Sequence, residues 1–560
     1  MADLTVRKLT KSPVRVDIAE NHGWRRLTGD HGVLWLKGVL VGTDEATLSS
    51  DLSSAGPEGG ASVIATLHGN FAVVFECGNW VLAATDHIGS IPLTYARDGE
   101  AWAIDSEARR LAHMFGLTDV EPDALVAIAM EGYTIGRSSF YRGLNALEPG
   151  EAVIFQAGKS EPNRQRYYVY RPRPSGETVS RRRLLEVTRS VFEKMIVTLD
   201  GRTVVVPLSA GLDSRLVVSA LYELGYRNVL CFSYGQPGNH EARAGQRIAA
   251  QLGFPWTFVA NSQQQQQVTF ASTECRAFVA FADTLQAIPF QQDFHAVGEL
   301  KRSGFVPGDA IFVNGQSGDY ITGNHIPQSL IGSLVESDEE SRWRRVFEAI
   351  VAKQLDLWAT LKTSENLTRL DGLLRDELVE IEHWFESSDG DYALYEASEF
   401  RNRQSKYVIA GQRTYEWFGY GWRLPLWDRD YLDFWATVPL ADKANQSLYR
   451  EMLVEANWGE VWGQGWTFEQ RIVPGWTRFL RFALKAAHAP LGRDRWHRFE
   501  RQYLEWWTDV VCNYAIVPYS RVINDTRGHR NAIAWHVERY LSDKGYQIDG
   551  KPIEAASQCA

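Results

Sequence analysis

One short stretch constrains this chain more than any other. In Val204-Val205-Val206-Pro207-Leu208-Ser209-Ala210-Gly211-Leu212-Asp213-Ser214, a Val-rich run of strand character enters a loop of small residues that opens into a helix near Arg215. A loop at a helix N-terminus aims unpaired backbone N–H groups and the positive end of the helix dipole at one point. That suits a pyrophosphate, and Ser209 and Ser214 add hydroxyl donors. Asp213 is placed to hold a magnesium ion that neutralises departing phosphates. No Gly-Lys-Ser/Thr follows, so this is not a Walker A loop and transfer of a γ-phosphate is not expected. The plainer reading is a tight strand-to-helix turn in a Rossmann-like sheet, with Asp213 favoured in the first helical turn by the dipole.

The surrounding text fits a parallel α/β layout, with strands over 203–206 and 229–232 and helices over 216–224 and 241–252. From about residue 31 to 165 the pattern differs. Short apolar runs such as Val33-Leu34-Trp35-Leu36 and Phe71-Ala72-Val73-Val74-Phe75, punctuated by Gly89, Pro92, Pro149 and Gly150, predict a β-rich layered domain. The Pro- and Gly-containing segment 171–180 reads as a linker. The expected domains are therefore 1–170, 181–460 and a helical extension over 461–560. The glutamine run 263–267 is expected to be a solvated low-complexity segment.

Composition narrows the class. With 560 residues, 44% apolar and 23% charged, the chain can fill two or three cores, which excludes disordered, collagen-like and disulfide-scaffold proteins. Cys77, Cys231, Cys275, Cys512 and Cys559 form no C-x-x-C pair, as expected in a reducing compartment without a structural zinc or iron-sulfur site. No apolar stretch reaches the ~18–20 residues needed to cross a bilayer. The opening Met1-Ala2-Asp3-Leu4-Thr5-Val6-Arg7-Lys8 leads into Thr10, Lys11, Ser12 and Pro13 instead of a signal-peptide core, so a cytoplasmic location is expected. A formal net charge of −10 argues against sequence-independent nucleic-acid binding.

The 204–214 segment resembles the Ser-Gly-Gly-x-Asp-Ser pyrophosphatase loop of the asparagine synthetase family, and further landmarks follow in order. Cys231-Phe232-Ser233-Tyr234-Gly235, followed by 241–253, looks like the family's second adenine-side strand and helix, which implies a backbone contact from Tyr234 to adenine. Phe312-Val313-Asn314-Gly315-Gln316-Ser317-Gly318-Asp319 is similar to the family's Ser-Gly-Glu-Gly-x-Asp-Glu loop. Gly421-Trp422-Arg423-Leu424-Pro425-Leu426-Trp427-Asp428 and Leu448-Tyr449-Arg450-Glu451 resemble its Arg-x-Pro-Phe-x-Asp and Leu-Arg-Glu segments. Upstream, Leu67-His68-Gly69-Asn70-Phe71-Ala72, Asp86-His87-Ile88-Gly89-Ser90-Ile91-Pro92-Leu93 and Leu147-Glu148-Pro149-Gly150 look like landmarks of its glutaminase domain.

The resemblance implies an α/β fold: a degenerate N-terminal αββα Ntn-hydrolase-like domain, then an adenine-nucleotide α-hydrolase-like (PP-loop ATP pyrophosphatase) parallel-sheet domain with a helical C-terminal part. It implies nucleotide binding by Leu208, Ser209, Ala210, Gly211, Leu212, Asp213, Ser214, Tyr234 and Gly315, and magnesium held by Asp213 and Asp319. Two carboxylates on two loops at one sheet edge can share a magnesium pyrophosphate that neither neutralises alone.

The departures carry their own expectations. A glutaminase of that family uses a cysteine exposed as its first mature residue, with the α-amino group as base. Here Ala2 stands second, no cysteine precedes Cys77, and no Asn-Gly-Glu follows Arg25-Arg26-Leu27, so no glutamine hydrolysis is expected. The β-lactam synthetase and lasso-peptide cyclase branches share that arrangement. Ala210 replaces a glycine, which predicts strain if the position needs positive φ. Gln316 and Tyr320 occupy two glutamate positions, which removes a candidate base. The family's lysine before Leu-Arg-Glu aligns with Gln446. Lys443, one helical turn away, and Arg450 are then the candidate pyrophosphate-stabilising cations.

The activity implied is an ATP- and Mg2+-dependent ligase that adenylates a carboxylate, releases pyrophosphate and passes the acyl group to ammonia or an amine. Alternatives are asparagine synthesis from aspartate, intramolecular amide formation, a sulfur nucleophile in place of nitrogen, and a catalytically silent binding protein. Phe232-Ser233-Tyr234-Gly235, Ser317-Gly318-Asp319-Tyr320 and His325-Ile326-Pro327 resemble asparagine-synthetase-like proteins of bacterial surface-polysaccharide synthesis, which implies a sugar uronate as substrate. Some of the 20 Trp would then line a sugar site; the alternative is core packing. The tract 471–501, basic and aromatic, suits weak contact with an anionic membrane surface, against the plainer reading of a helix that packs its aromatic face on the domain.

Overall fold

The computed structural model describes residues 12–99, 101–173, 179–332, 338–381, 383–549 and the strand residues 554–555. The N-terminal octapeptide, Cys559 and the centre of the expected linker lie outside the described residues. Two compact units emerge. The first comprises Met1–Glu121, Arg137–Val169 and Asp283–Gln286, and the second Pro122–Gly136, Tyr170–Ala282 and Ala287–Ala560. Residues 461–560 thus fall within the second unit, and 122–136 leave the first.

The first unit contains β1 (Val14–Val16), β2 (Arg25–Gly29), β3 (Gly32–Val41), β4 (His68–Cys77), β5 (Trp80–Thr85), β6 (Thr94–Asp98), β7 (Ala101–Asp105), β8 (Leu144–Ala146), β9 (Glu151–Gln156) and β10 (Asn163–Arg166). They form a six-stranded sheet ordered β10-β9-β5-β4-β3-β2 and a four-stranded sheet ordered β1-β7-β6-β8. Period-2 alternation divides the larger sheet. Leu34, Leu36, Phe71, Val73, Phe75, Leu82 and Ile154 face helix α1 (Glu45–Ala65) and its Leu48, Leu52 and Ile64. Phe155, on the other face, meets Tyr95 and Trp102 of the smaller sheet at 5.7 Å each. With helix α2 (Ala108–Met114) against the smaller sheet, the unit has helix, sheet, sheet and helix layers. Burial on both faces explains why β5 reads as an unbroken apolar run.

Its landmark motif is a pin. The buried Asp86 carboxylate accepts from the backbone N–H groups of Phe71 (3.0 Å), Ile88 (3.1 Å) and Ser90 (3.0 Å), and the Asp86 carbonyl accepts from Gly150 (2.9 Å). Gly89 takes φ 66° against Pro149, a conformation that a side chain rarely adopts. These residues hold the loops between strands.

In the second unit β11 (Val204–Pro207), β12 (Val229–Gly235), β13 (Trp256–Ala260), β14 (Ile311–Val313) and β15 (Gly421–Arg423) form an all-parallel sheet ordered β13-β12-β11-β14-β15. The chain builds outward from β11 on one side, then returns to the other. The order reverses between β11 and β14, where the loops leaving the carboxyl ends diverge and open a crevice. Helix α3 (Leu212–Glu223) follows β11, and α4 (His240–Leu252) follows β12. The glutamine run differs from its expectation. Ser262 caps a helix over Gln263–Ala271, and Gln266 is buried.

Candidate active site

The loops after β11 and β14 line one cavity of about 720 Å³, within the usual range for small-molecule sites. Leu208, Ser209, Gly211, Asp213 and Ser214 come from the first loop and the first turn of α3; Asn314, Gly315, Gln316, Ser317 and Asp319 come from the second. Tyr234 closes one side, its hydroxyl donating to Asp293 Oδ1 at 2.5 Å. The first loop is internally tied: the Ser209 N–H donates to Ser214 Oγ (3.1 Å) and the Gly211 N–H to Ser209 Oγ (3.1 Å). No side chain caps α3, whereas Asn239 caps α4, so the first-turn N–H groups of α3 have no cap acceptor. Ala210 is not among the described residues with positive φ, so the expected strain is absent. The left-handed residue of the site is Ser317, at φ 65° in the second loop.

Arg215, which the sequence reading passed over, lies buried behind the first loop. Its Nη2 donates to the Ala210 carbonyl at 2.8 Å, and its guanidinium stacks over Trp462 at 5.0 Å and Phe468 at 5.3 Å. Burial pushes its pKa down to about 10. Its signal in the sequence is a cation set among the apolar residues that open a helix, directly after the Asp-Ser pair.

The two loops interlock. The Asp319 N–H donates to Asp213 Oδ2 (2.9 Å), and the Tyr449 hydroxyl to Asp213 Oδ1 (3.0 Å). A Cβ on Gly315 would lie 2.6 Å from the Asp213 carbonyl carbon, and one on Gly318 2.5 Å from Asp213 Cγ. Only glycine allows that approach. Burial, then the charge of Asp319, raises Asp213 to about 7. Burial also opposes ionisation of Asp319, yet the hydrogen bond and charge of His325 outweigh it and hold that carboxyl below its ordinary value. His325 bridges Asp319 Oδ2 (3.1 Å) and Glu399 Oε1 (2.6 Å); these carboxylates overcome its burial and raise it to about 9. Glu399 Oε1 also accepts from Arg403 (3.1 Å) and Gln404 (2.9 Å). Glu399, 74 residues beyond His325, carried no local signal.

Lys443 and Arg450 are not brought to the cavity. Lys443 is fully buried in an ion pair with Glu396 (2.6 Å) and reaches Tyr170 Oη at 3.3 Å. Arg450 is exposed and turns back to the Asn445 carbonyl and Gln446 Oε1, both at 3.3 Å. The Gln446 amide instead donates to Thr322 Oγ1 at 2.7 Å. Gln316 is held by the Val408 carbonyl and by Gln412 at 2.8 Å, and Tyr320 is buried with its hydroxyl on the Glu396 carbonyl at 2.8 Å. The cavity wall carries Phe232, Tyr234 and Phe290 but no tryptophan, while Trp358, Trp427, Trp435 and Trp535 are fully buried. These four tryptophans pack in the core.

Among the described residues no group of three or more His, Cys, Asp or Glu could hold a metal ion. The pair Asp213 and Asp319 still fits magnesium, which typically takes one or two carboxylates together with substrate phosphates. No helix among the described residues is long and apolar enough to cross a membrane.

A family model described as a glutamine amidotransferase domain matches residues 52–168, and one described as asparagine synthase matches 189–459. Carboxyethyl-arginine beta-lactam-synthase of Streptomyces clavuligerus is 26% identical over 289 residues, covering 46% of this chain and 48% of that protein, so the chain spans about half the length of this curated relative. Among solved structures, the allosteric regulatory enzyme of purine biosynthesis is 13% identical, with a TM-score of 0.17 over 52% of this chain and 56% of its own. Glutamine phosphoribosylpyrophosphate amidotransferase from B. subtilis, complexed with ADP and GMP, is 12% identical, with a TM-score of 0.16 over 52% and 63%.

Proposed function

This chain belongs to the asparagine synthetase-like family, and from that premise we propose that its second unit is an ATP-dependent amide ligase. The observation that carries the reading is the meeting of Asp213 and Asp319 on two interlocked loops beside an uncapped helix start, all in one cavity. A carboxylate oxygen attacks the α-phosphorus of ATP, the bond to the bridging oxygen breaks, and pyrophosphate departs from the acyl-adenylate. An amine then attacks the acyl carbon, the bond to the AMP oxygen breaks, and AMP and a proton are released. The first-turn N–H groups of α3, with Ser209 and Ser214, bind the departing diphosphate, and buried Arg215 adds a fixed positive charge beneath them. Asp213 and Asp319 would hold magnesium, which when bound neutralises diphosphate charge. The protein's contribution is positioning and preorganised electrostatics.

Nitrogen comes from ammonia or an amine, in our reading, and not from glutamine. Supporting this, the only cysteine among the described residues of the first unit is Cys77, the last residue of strand β4. A sugar uronate is the proposed carboxylate, supported by the motif resemblance and by the partly exposed rings of Tyr234 and Phe290, on which a sugar can stack. The free thiols of the described residues support a reducing compartment.

The test incubates the chain with ATP, magnesium and a panel of carboxylates, uronic acids and aspartate included, with ammonium, glutamine or an amine. Pyrophosphate and AMP should appear in equal amounts, ammonium should support turnover where glutamine does not, and Asp213→Ala should abolish pyrophosphate release. Formation of ADP overturns the reading. Calorimetry without a binding signal for magnesium ATP leaves the silent binding protein.

A further inference from the structure

Helix α5 (Thr477–His488) is turned inside out. Thr477 is its only buried residue, while Phe479 is 85% and Phe482 77% exposed. Phe479, Phe482, Ala483 and Ala486 share one face at helical spacing, and Trp476, 56% exposed, lies one turn before Phe479. The side turned toward helix α6 (Arg493–Tyr503) is the polar one: Arg481 pairs with Glu500 and stacks over Trp496 at 5.7 Å, and His488 lies against Phe499 at 4.4 Å. A helix folded only to serve a core would be rotated the other way, with its phenylalanines inward.

Cations frame this face. Residues 471–501 hold eight Arg or Lys against Asp494 and Glu500, a local excess of six positive charges in a chain of net charge −10. Arg478 and Lys485 lie along one side of the apolar strip, and both are exposed. Apolar rings with basic flanks match an anionic bilayer surface, where the rings enter the headgroup boundary and the cations meet lipid phosphates. A symmetric pairing of two copies through this face would instead bring two surplus-positive patches together, which disfavours a second copy as occupant.

We propose that α5 is an interfacial anchor that holds the protein on anionic lipid. The inference is independent of the ligase reading. The full chain is mixed with vesicles of phosphatidylcholine alone, or doped with phosphatidylglycerol, and floated on a gradient while tryptophan emission is recorded. Flotation with the doped vesicles only, a blue shift that Trp476→Phe reduces, and release at 1 M salt, where the Debye length shrinks to about 3 Å, are the expected results. Phe479→Glu with Phe482→Glu should cut partitioning by about tenfold or more, and Phe479→Leu with Phe482→Leu should largely retain it. Unchanged circular dichroism establishes that the variants fold. Equal binding to neutral vesicles, no binding to either, or a dimer in sedimentation that the double glutamate variant dissolves would overturn the proposal.

Discussion

Glu241 Oε2 accepts a hydrogen bond from the Ala210 N–H at 2.6 Å, so one of the chain's own carboxylates sits on the loop that is shaped for an anion. His240 braces the other oxygen of that carboxylate at 3.0 Å. A phosphate approaching the same amide competes with a tethered acid of like charge.

Replacing Glu241 with Ala should therefore tighten magnesium ATP or pyrophosphate, by about three- to tenfold given the ~1 kcal/mol typical of a partly exposed charged hydrogen bond. Isothermal calorimetry on both proteins checks this. Weaker binding in the variant would make Glu241 a support of the loop instead of a competitor.

Gly315→Ala should close the site without unfolding the unit. The added methyl carbon would meet Asp213 backbone at 2.6 Å, and backbone cannot swing aside as a flexible side chain can. Nucleotide affinity should fall at least about tenfold while the melting temperature stays within a few degrees, read by calorimetry and by thermal unfolding.

Asp86→Ala should destabilise the first unit. It strips three buried backbone N–H groups and the Ser90 hydroxyl of their acceptor at once. A loss on the order of 3 kcal/mol is expected, because unmade buried hydrogen bonds cost about 1–3 kcal/mol each and water restores some. Scanning calorimetry should show one transition moved down, with ATP binding by the other unit unchanged.

Two buried histidines should make the second unit sensitive to acid, while Asp213, raised to about 7, contributes in the opposite direction over the same range. Burial pushes His529 and His536 down to about 4, and among the described residues neither ring nitrogen of His529 has a hydrogen-bond partner. The unfolded chain takes up these protons near pH 6.5, whereas the folded chain refuses them until about pH 4. The stability they contribute is thus complete above pH 6.5 and is lost as pH falls toward 4, by at most about 1.4 kcal/mol per pH unit for each histidine. Urea unfolding at pH 7 and pH 5 measures the slope, and His529→Phe should flatten it.

Local pattern made much of this legible. The Val-rich strand, the small-residue loop and the following helix are encoded within a dozen residues, and β11 with α3 form there. α3 starts at Leu212, three residues before the expected Arg215, because Gly211 already has the extended backbone of a cap position. What escaped depends on partners far along the chain. Lys443 reads as a pyrophosphate-stabilising cation one turn from Gln446, but Glu396 draws it into the interior. Arg215 is decided by the rings of Trp462 and Phe468, and the Gln263–Ala271 helix by the serine that caps it more than by its glutamines. Binary pattern likewise found the rings of α5 without revealing which way they turn, since rotation about a helix axis is set by neighbours.

The fit of Gly315 and Gly318 against Asp213 also bears on synthesis. During translation the phosphate-facing turn leaves the ribosome about a hundred residues ahead of the segment that gives it its far wall. A nascent or truncated chain that stops short of that segment has β11 but neither of the glycines that clasp Asp213. On the proposed reading, nucleotide capture belongs to the finished sheet and not to a partly made chain.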